Sequence, residues 1–529
     1  MVAFEVGPNH ASHELGCGAS CSGRTGYMLR LKVGDASGTG PSGRATRPGG
    51  LDSITTWHKK GGNGMAQMTR RRFSWAALSA AGSARAIAAD EPVSIELEAA
   101  RRWVSLDGSM VELLVYNGQV PGPTMSLRPG QDVLIRLRNL LPEPTNLHFH
   151  GLHLAPSPGA DDSFLRIPPG ELHEYRFTLP ANHPAGTFWY HPHVHGHTAD
   201  QVSGGLAGAI LVRSEAEETI DLSRVPEQLL VLQDFDVSND GTLMQPSPME
   251  IMAGREGSLV TAAGKTASVI PIISGGFLRL RIVNASSSRF YNLSLDEHPF
   301  VLIGVDGGLL PSPQELETML LSPGERVDVI VRGNRNPGSY RLWSMPYSRT
   351  AGMGFGMGMD GSIFTSRSPI ELARINYEFG DQAPWQVPER LAGIAPLTAP
   401  RRVRRFSLAQ SMSGMGMPGR TQSGMAFTIN GRTFNIDRVD TRVQLGDVED
   451  WEFLNNTSMD HPMHIHTNPF QIVRLDGSAD PAWKDTVLVK AGQRVRVRTR
   501  FDDFAGLSVY HCHILDHGDM GMMGTLQIT

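Results

Sequence analysis

The sequence predicts an all-β protein of several domains, and three observations support this fold class. The chain of 529 residues contains 58 glycines and 35 prolines, a content that favours short strands joined by turns over long helices. Segments of alternating apolar and polar residues recur, as expected for strands with one buried face. Turns with glycine or proline near residues 121, 168, 322 and 491 punctuate the chain. The alternating segments are 133–137, 278–283, 327–331 and 495–500.

Composition excludes several functional classes. Hydrophobic residues make up 40% of the chain and charged residues 19%, as in an ordinary globular protein. No run approaches the roughly 18 apolar residues of a membrane-spanning helix, so we expect no membrane insertion. Residues 1–89 carry 11 Lys and Arg against 4 Asp and Glu, which leaves 37 against 49, or −12, for the rest. This acidic body argues against nucleic acid as a partner, and we expect a monomer.

The first 89 residues contain the features of an export signal. Residues 69–75 (TRRRFSW) precede a short, weakly apolar stretch that ends in small residues, the layout of a twin-arginine signal cleaved near Ala88 or Ala89. A basic amphipathic helix is the alternative. We expect residues 65–89 to be the signal peptide and residues 1–64 to be a wrongly assigned extension ahead of Met65. The protein would then work in the periplasm or outside the cell.

The 440 residues after residue 89 are long enough for about three domains. A turn, an alternating strand and an asparagine-containing loop follow one another near residues 129–139 and 275–284. Weaker versions occur near residues 323–334 and 446–456. This recurrence indicates a repeated strand-rich unit. We expect the domains to span residues 90–218, 219–390 and 391–529.

Histidine clustering is the strongest chemical signal. Most of the 19 histidines fall into four motifs: HFHGLH from 148, HPHVHGH from 191, HPMHIH from 461 and HCHILDHGDMGMM from 511. Alternate residues of a strand share one face, so each His-x-His pair offers two imidazoles to one metal region. If residues 511–513 lie on one strand, the two histidines face one way and Cys512 the other. That tripeptide would then contact two metal sites.

The two faces predict different metal chemistry. Cysteine, two histidines and a weak thioether ligand form the blue-copper arrangement, whereas zinc prefers a Cys/His set without the thioether. The other face can hold three copper ions with open positions for dioxygen. Candidates on the first face are His461, Cys512, His517 and Met522, and those on the second are His148, His150, His191, His193, His464, His466, His511 and His513.

These motifs resemble those of multicopper oxidases, and the resemblance covers residues 95–529. NGQVPGPT at 117, NASSSRFYNLSL at 284 and FTINGRTF at 427 are similar to framework segments of that family. The resemblance implies three Greek-key cupredoxin-like β-sandwich domains and four copper ions. It assigns a type 1 copper to His461, Cys512, His517 and Met522, a type 2 ion to His148 and His464, and a type 3 pair to His150, His191, His193, His466, His511 and His513.

The resemblance also implies a reaction. A small reducing substrate would give single electrons to the type 1 copper, and the Cys512 backbone would carry them to His511 and His513. Four electrons would reduce dioxygen to two waters. The family places one proton-delivering acid after the first motif, which we assign to Asp161 rather than Asp162. A second acid commonly follows the histidine matched by His517. This chain has Gly518 there, and we take Asp519 as the substitute.

Methionine is the clue to the substrate. Residues 351–361 and 411–425 are glycine-rich and hold seven of the 23 methionines, whose soft thioethers suit Cu(I). A lid in which methionine fills irregular space is the alternative. We favour Cu(I) as the reducing substrate, with phenols or aromatic amines close behind and ferrous iron third. The rivals to an enzyme are a copper-free cupredoxin scaffold, like the family's cell-division relatives, and a copper-sequestering protein.

Overall fold

The structure is a computed structural model that describes residues 92–350, 368–412 and 425–529. The export signal, the first methionine-rich segment and residues 413–424 of the second lie outside these ranges. The described chain is mostly strand with a few short helices, which confirms the all-β prediction. No helix in these ranges is both long and apolar enough to cross a membrane.

The first pair of sheets is formed by the elements between Val93 and Val212. In chain order they are β1 (Val93–Leu106), β2 (Ser109–Tyr116), β3 (Gly122–Leu127), β4 (Asp132–Asn139), β5 (His148–His150), β6 (Leu172–Thr178), β7 (Gly186–His191), α1 (Thr198–Ser203) and β8 (Gly208–Val212). The strand orders are β2-β1-β4-β6 and β3-β8-β7-β5.

The second pair of sheets follows a short helical connection. Its elements are α2 (Glu215–Thr219), a 3-10 turn (Leu222–Arg224), β9 (Glu227–Phe235), α3 (Pro248–Ala253), β10 (Leu259–Ala262), β11 (Ser268–Ile273), β12 (Phe277–Asn284), β13 (Tyr291–Leu295), β14 (Phe300–Val305), β15 (Gly308–Leu316), β16 (Thr318–Leu321), β17 (Arg326–Arg332), β18 (Ser339–Met345) and β19 (Ile370–Glu378). The orders are β10-β9-β12-β17-β14-β15 and β11-β19-β18-β13-β16.

The third pair of sheets contains the last strands of the chain. They are β20 (Arg402–Met412), β21 (Met425–Ile429), β22 (Thr441–Val443), β23 (Val448–Asn455), β24 (His461–Ile465), β25 (Phe470–Ile472), β26 (Thr486–Val489), β27 (Arg494–Arg500), β28 (Gly506–Cys512) and β29 (Met523–Ile528), with α4 (Leu515–Asp519) before β29. The orders are β21-β20-β23-β27-β25 and β22-β29-β28-β24-β26.

Each pair of sheets repeats one set of connections. The first sheet of each pair contains a parallel pairing, namely β1 with β4, β9 with β12 and β20 with β23. The second sheet contains another, namely β3 with β8, β11 with β19 and β22 with β29. Each sheet pair encloses its own apolar core. We propose domain boundaries after residues 218 and 390, since both fall between sheet pairs. The four alternating segments lie in β4, β12, β17 and β27, as predicted.

A buried asparagine ends the equivalent strand in each unit. Asn139, Asn284 and Asn455 are the last residues of β4, β12 and β23. Each side-chain amide donates hydrogen bonds to two backbone carbonyls, and each side-chain oxygen accepts the backbone N–H two residues later. The asparagines of the predicted repeat therefore hold the loop that follows each strand. The fourth segment, near residues 323–334, falls on β17, which occupies a different place in its sheet.

This arrangement predicts that two neighbouring asparagines contribute very differently to thermal stability. Asn455→Ala removes the amide donor of the buried Val489 carbonyl and one of the two side-chain donors of the Met459 carbonyl, which keeps the hydroxyl of Thr457. Exposed Asn456 bonds only the hydroxyl of Ser407 through its side chain. Each unsatisfied buried group costs about 1–3 kcal/mol. We expect Asn455→Ala to lower the thermal unfolding midpoint by several degrees. Asn456→Ala should leave the midpoint near that of the parent protein, and equal effects would contradict this explanation.

Candidate metal centres

The four histidine motifs lie on, or just beyond, strands of the first and third sheet pairs. β5 carries His148 and His150 and pairs with β7, which ends at His191. β24 and β28 pair so that His464 lies opposite His511. The expectation that residues 511–513 share one strand was only partly correct. β28 ends at Cys512, and the chain turns toward α4 from the next residue.

Eight buried histidines from these strands form one cluster, called here the eight-histidine group. Nε2 of His148 lies 3.3 Å from Nε2 of His464. Nε2 of His511 lies 3.0 Å from that of His193 and 3.1 Å from that of His466. The group therefore joins the first and third sheet pairs. Its members are His148, His150, His191, His193, His464, His466, His511 and His513.

Burial lowers the pKa of seven of these imidazoles and so opposes their charged form. Desolvation is the main cause that lowers the pKa of His191 and of His511 to about 3. It also depresses the pKa of His148, His193 and His513 well below the ordinary value. A neutral imidazole has one N–H and one lone pair. Facing nitrogens at 3.0–3.3 Å therefore present lone pairs to a common space, which suits a metal ion.

Outer hydrogen bonds decide which nitrogen of each ring is free. The Nδ1–H of His148 donates to Oδ1 of Asp161 at 2.7 Å, and that of His464 to the carbonyl of Asp485 at 2.8 Å. The Nδ1–H groups of His191 and His511 donate to the carbonyls of Pro192 and Cys512. These bonds leave Nε2 of all four rings as the nitrogen with a lone pair that a metal could bind.

His150 has the opposite arrangement. Its Nε2 lies 2.9 Å from Oδ1 of Asp485, and its Nδ1 is buried without a hydrogen-bond partner in the described structure. Nε2 of His191 and both ring nitrogens of His513 are likewise buried and unpartnered. Buried polar atoms normally have partners, so four orphaned ring nitrogens in one cluster call for an explanation. Metal ions bound among them would satisfy three of the four, because one nitrogen of the neutral His513 ring must keep its proton.

A second cluster surrounds Cys512. Its Sγ lies 3.5 Å from Nδ1 of His461 and 3.9 Å from Nδ1 of His517, and these two nitrogens are 3.3 Å apart. Nε2 of His461 is bonded to the hydroxyl of Thr457, and Nε2 of His517 to the carbonyl of Met252. Both rings therefore direct Nδ1 toward the sulfur. We call this set the cysteine group.

Met522 lies in the same buried core as Cys512. Its carbonyl accepts the Cys512 N–H at 3.0 Å, and its own N–H donates to the carbonyl of His517 at 2.8 Å. Burial raises the pKa of the Cys512 thiol well above its ordinary value. A thiolate forms there only beside a cation, so the donor set fits a thiolate-binding metal such as copper.

The two predicted acids have different surroundings. Buried Asp161 accepts from His148 and from the N–H of Phe149, and its Oδ2 lies 3.4 Å from Nδ1 of His466. Burial raises its pKa to about 7. It therefore contacts two members of the eight-histidine group.

Asp519 is held by the segment that follows His193. Its carboxylate accepts the N–H groups of Gly196 and Ala199 at 2.8 and 2.9 Å and lies 3.9 Å from Nδ1 of His195. Burial raises its pKa to about 7. A Cβ at Gly518 would lie 3.9 Å from Nδ1 of His511, so residue 518 is the position that faces the eight-histidine group.

Three orienting residues were missed by the sequence analysis: Asp485, Arg326 and Met252. Arg326 donates to both carboxylate oxygens of Asp485, at 2.8 and 2.6 Å. Met252 acts through its backbone carbonyl, which no side-chain pattern can reveal. Asp485 and Arg326 are far from the motifs along the chain, and only the pairing of strands brings them to the histidines.

Comparisons with known proteins identify the family of the chain. Family models described as multicopper oxidase match residues 98–217, 225–358 and 404–529. The structure of a multicopper oxidase from Campylobacter jejuni, described as a metallo-oxidase, superposes with a TM-score of 0.72 at 31% identity. The alignment covers 82% of this chain and 91% of that one. The likeness confirms the predicted cupredoxin-like sandwich fold.

Two curated relatives have different names. The laccase of Bacillus subtilis (strain 168) is 28% identical over 484 residues, which cover 78% of this chain and 90% of that protein. The cell division protein FtsP of Xenorhabdus nematophila is 29% identical over 454 residues, which cover 83% and 89%. The family models match well over half of the sequence, and the chain therefore belongs to the multicopper oxidase family, which implies an oxidase with copper cofactors.

Proposed function

We propose that this protein couples the oxidation of four one-electron donors to the reduction of dioxygen to two waters, with uptake of four protons. It would hold four copper ions. One is a type 1 ion bound by the cysteine group together with Met522, and three are the type 2 ion and type 3 pair of the eight-histidine group. When bound, copper at these positions accepts single electrons and passes them to dioxygen. The observation that carries the proposal is the sequence His511-Cys512-His513, which belongs to both groups.

The protein's own contribution is to connect and isolate the two groups. Cys512 contacts His461 and His517, whereas the preceding His511 contacts His193 and His466. One peptide bond on each side of Cys512 therefore links donor and acceptor groups. All ten histidines of the two groups are buried, which excludes bulk water from the bound centres.

Cys512→Ser tests this link. The thiolate is the source of the intense visible absorption of a blue copper centre, and serine cannot supply it. We expect the copper-loaded parent to be blue and to consume oxygen with Cu(I) or a phenol as donor. The variant should be colourless and lose oxygen uptake at least about 100-fold, while retaining copper in the eight-histidine group. A colourless parent that takes up no oxygen would overturn the proposal.

Cu(I) is the substrate that we propose first, with phenols and aromatic amines second. Thr350, which precedes the first methionine-rich segment, pairs with Met459, two residues before His461. Phe427, two residues after the second segment, stacks on His517 at 3.8 Å between ring centroids. The described ends of both segments therefore adjoin the cysteine group, which supports a role of their thioethers in presenting Cu(I).

Replacing thioethers without changing bulk tests the substrate. We expect Met353→Leu, Met357→Leu and Met359→Leu together to reduce oxygen uptake with Cu(I) about tenfold or more, while uptake with a phenol stays near the parent value, because leucine keeps the apolar volume and loses the soft ligand. Met110→Leu, on the exposed part of β2, is the matched control. Equal loss with both donors would favour the lid interpretation.

Asp161 and Asp519 are the proposed proton-delivering residues. Asp161 contacts His148 and His466 directly. Asp519 would act from the side of His195, beside the segment that follows His193. Their raised pKa values, both about 7, allow each carboxyl to hold and release a proton near neutral pH.

The asparagine variants separate proton delivery from electron entry. Asp161→Asn and Asp519→Asn should each slow steady-state oxygen reduction about 10²-fold or more, because an amide cannot exchange the proton. Anaerobic bleaching of the blue absorption by donor should keep its parent rate. For either residue, unchanged turnover would reject the assigned role.

Two non-enzymatic functions are the alternatives to an oxidase. A copper-free scaffold, suggested by the FtsP relatives, would not need the twelve candidate ligands, all of which are retained here. A sequestering protein would not need Cys512 between two groups.

We further propose twin-arginine export, a mature start near residue 90 and a monomeric state. The intact mass and the sedimentation of the exported protein test the last two.

A further inference from the structure

Arg326 reaches the eight-histidine group from the second sheet pair, which supplies none of its histidines. The guanidinium is fully buried at the start of β17. It donates to both oxygens of Asp485 and to the carbonyls of Thr187, Gly324 and Asp306. Its Nε and both terminal nitrogens are thus engaged, which fixes the plane of the group.

Asp485 connects this arginine to two histidines of the group. Its Oδ1 lies 2.9 Å from Nε2 of His150, and its backbone carbonyl accepts the Nδ1–H of His464 at 2.8 Å. Arg326 donates one hydrogen bond to each carboxylate oxygen of Asp485, at 2.8 and 2.6 Å, the two-point contact of a guanidinium with an ionised carboxylate. The carboxylate is therefore a hydrogen-bond acceptor only.

An acceptor at this place determines the tautomer of His150. The imidazole must carry its proton on Nε2 to bond the carboxylate, which leaves the lone pair on the buried, unpartnered Nδ1. The other rings with an outer bond on Nδ1 present Nε2 instead. Gly151 makes room for this contact, because a Cβ there would lie 2.6 Å from Oδ2 of Asp485.

We infer that Asp485 and Arg326 are a pair of positioning residues that hold His150 in the tautomer and orientation needed to bind copper through Nδ1. The inference rests on the proposed function, in which the eight-histidine group holds copper. It gives the second domain a role at that centre without contributing a ligand.

Asp485→Asn is the direct test. The amide has one oxygen and one NH₂, so one orientation sets NH₂ against Arg326 and the other sets it against the Nε2–H of His150. Loss of an orienting partner lowers metal affinity about 10- to 100-fold. We expect the copper affinity of the eight-histidine group to fall by that factor. Titrating apo-protein with copper against a chelator, with copper per chain measured by elemental analysis, gives the affinity. The blue absorption on the same samples, which reports the cysteine group, should be unchanged.

Asp450→Asn is the matched control. Asp450 is a buried aspartate held by Arg498 through two hydrogen bonds of 2.7 and 3.1 Å, in the sheet of β23 and β27. It should lose thermal stability and keep the parent copper affinity. Arg326→Lys retains the charge but not the two-point contact, and it should lower the affinity of the eight-histidine group in the same direction as Asp485→Asn. Arg326→Lys tests the same contact if Asp485→Asn does not fold.

The outcomes distinguish failure of the positioning role from failure of the proposed oxidase function. If Asp485→Asn and Arg326→Lys bind copper as Asp450→Asn does, the positioning role is wrong while the oxidase proposal stands. If the parent protein binds no copper in the eight-histidine group, the proposed function fails and the inference fails with it. Selective loss of copper from that group, with the blue absorption intact, supports both.

Discussion

The organisation of the protein depends on eight buried imidazoles that face one another across two domains. Facing ring nitrogens approach to 3.0–3.3 Å, and burial opposes the charged form of His191 and His511. Lone pairs at such distances repel unless a cation lies between them. A bound metal turns this repulsion into attraction and joins β5 and β7 of the first domain to β24 and β28 of the third. Metal binding would therefore be coupled to the assembly of these two domains.

The second domain orients both metal groups from outside. Besides the Arg326–Asp485 contact, the carbonyl of Met252 near the end of α3 accepts the Nε2–H of His517. Arg255 binds Asp516, the residue before His517, through hydrogen bonds of 2.6–3.2 Å. Such buried ion pairs contribute little net stability, but breaking one leaves an uncompensated charge. Their value here is geometric, because they set the position of residues next to ligands.

Much of the fold and the clustering of the histidines could be predicted from sequence because both rest on local patterns. Alternation placed β4, β12, β17 and β27, and the recurring asparagine marked the end of the equivalent strand in each unit. The His-x-His spacing reflects the two-residue period of a strand, so it survives even where β28 stops before His513. Period and spacing are properties of neighbouring residues.

Features formed between distant segments could not be predicted from these local patterns. Asp485 is 335 residues from His150 along the chain, and nothing near either residue indicates their contact. Met252 acts through its backbone, so its identity carries no signal. The partners of Asp519 are amides of Gly196 and Ala199, which explains why the neighbouring Gly518, and not Asp519, faces His511. Tertiary pairing decides each of these cases.

The central claim is that the two buried groups are copper centres, and X-ray diffraction recorded at the copper absorption edge from crystals of the copper-loaded protein tests it most directly. The account predicts one anomalous peak between Cys512, His461 and His517, and three among the eight histidines, one of them adjacent to Nδ1 of His150. Peaks confined to surface residues, or no anomalous signal at these nitrogens in a folded, copper-treated protein, would contradict it.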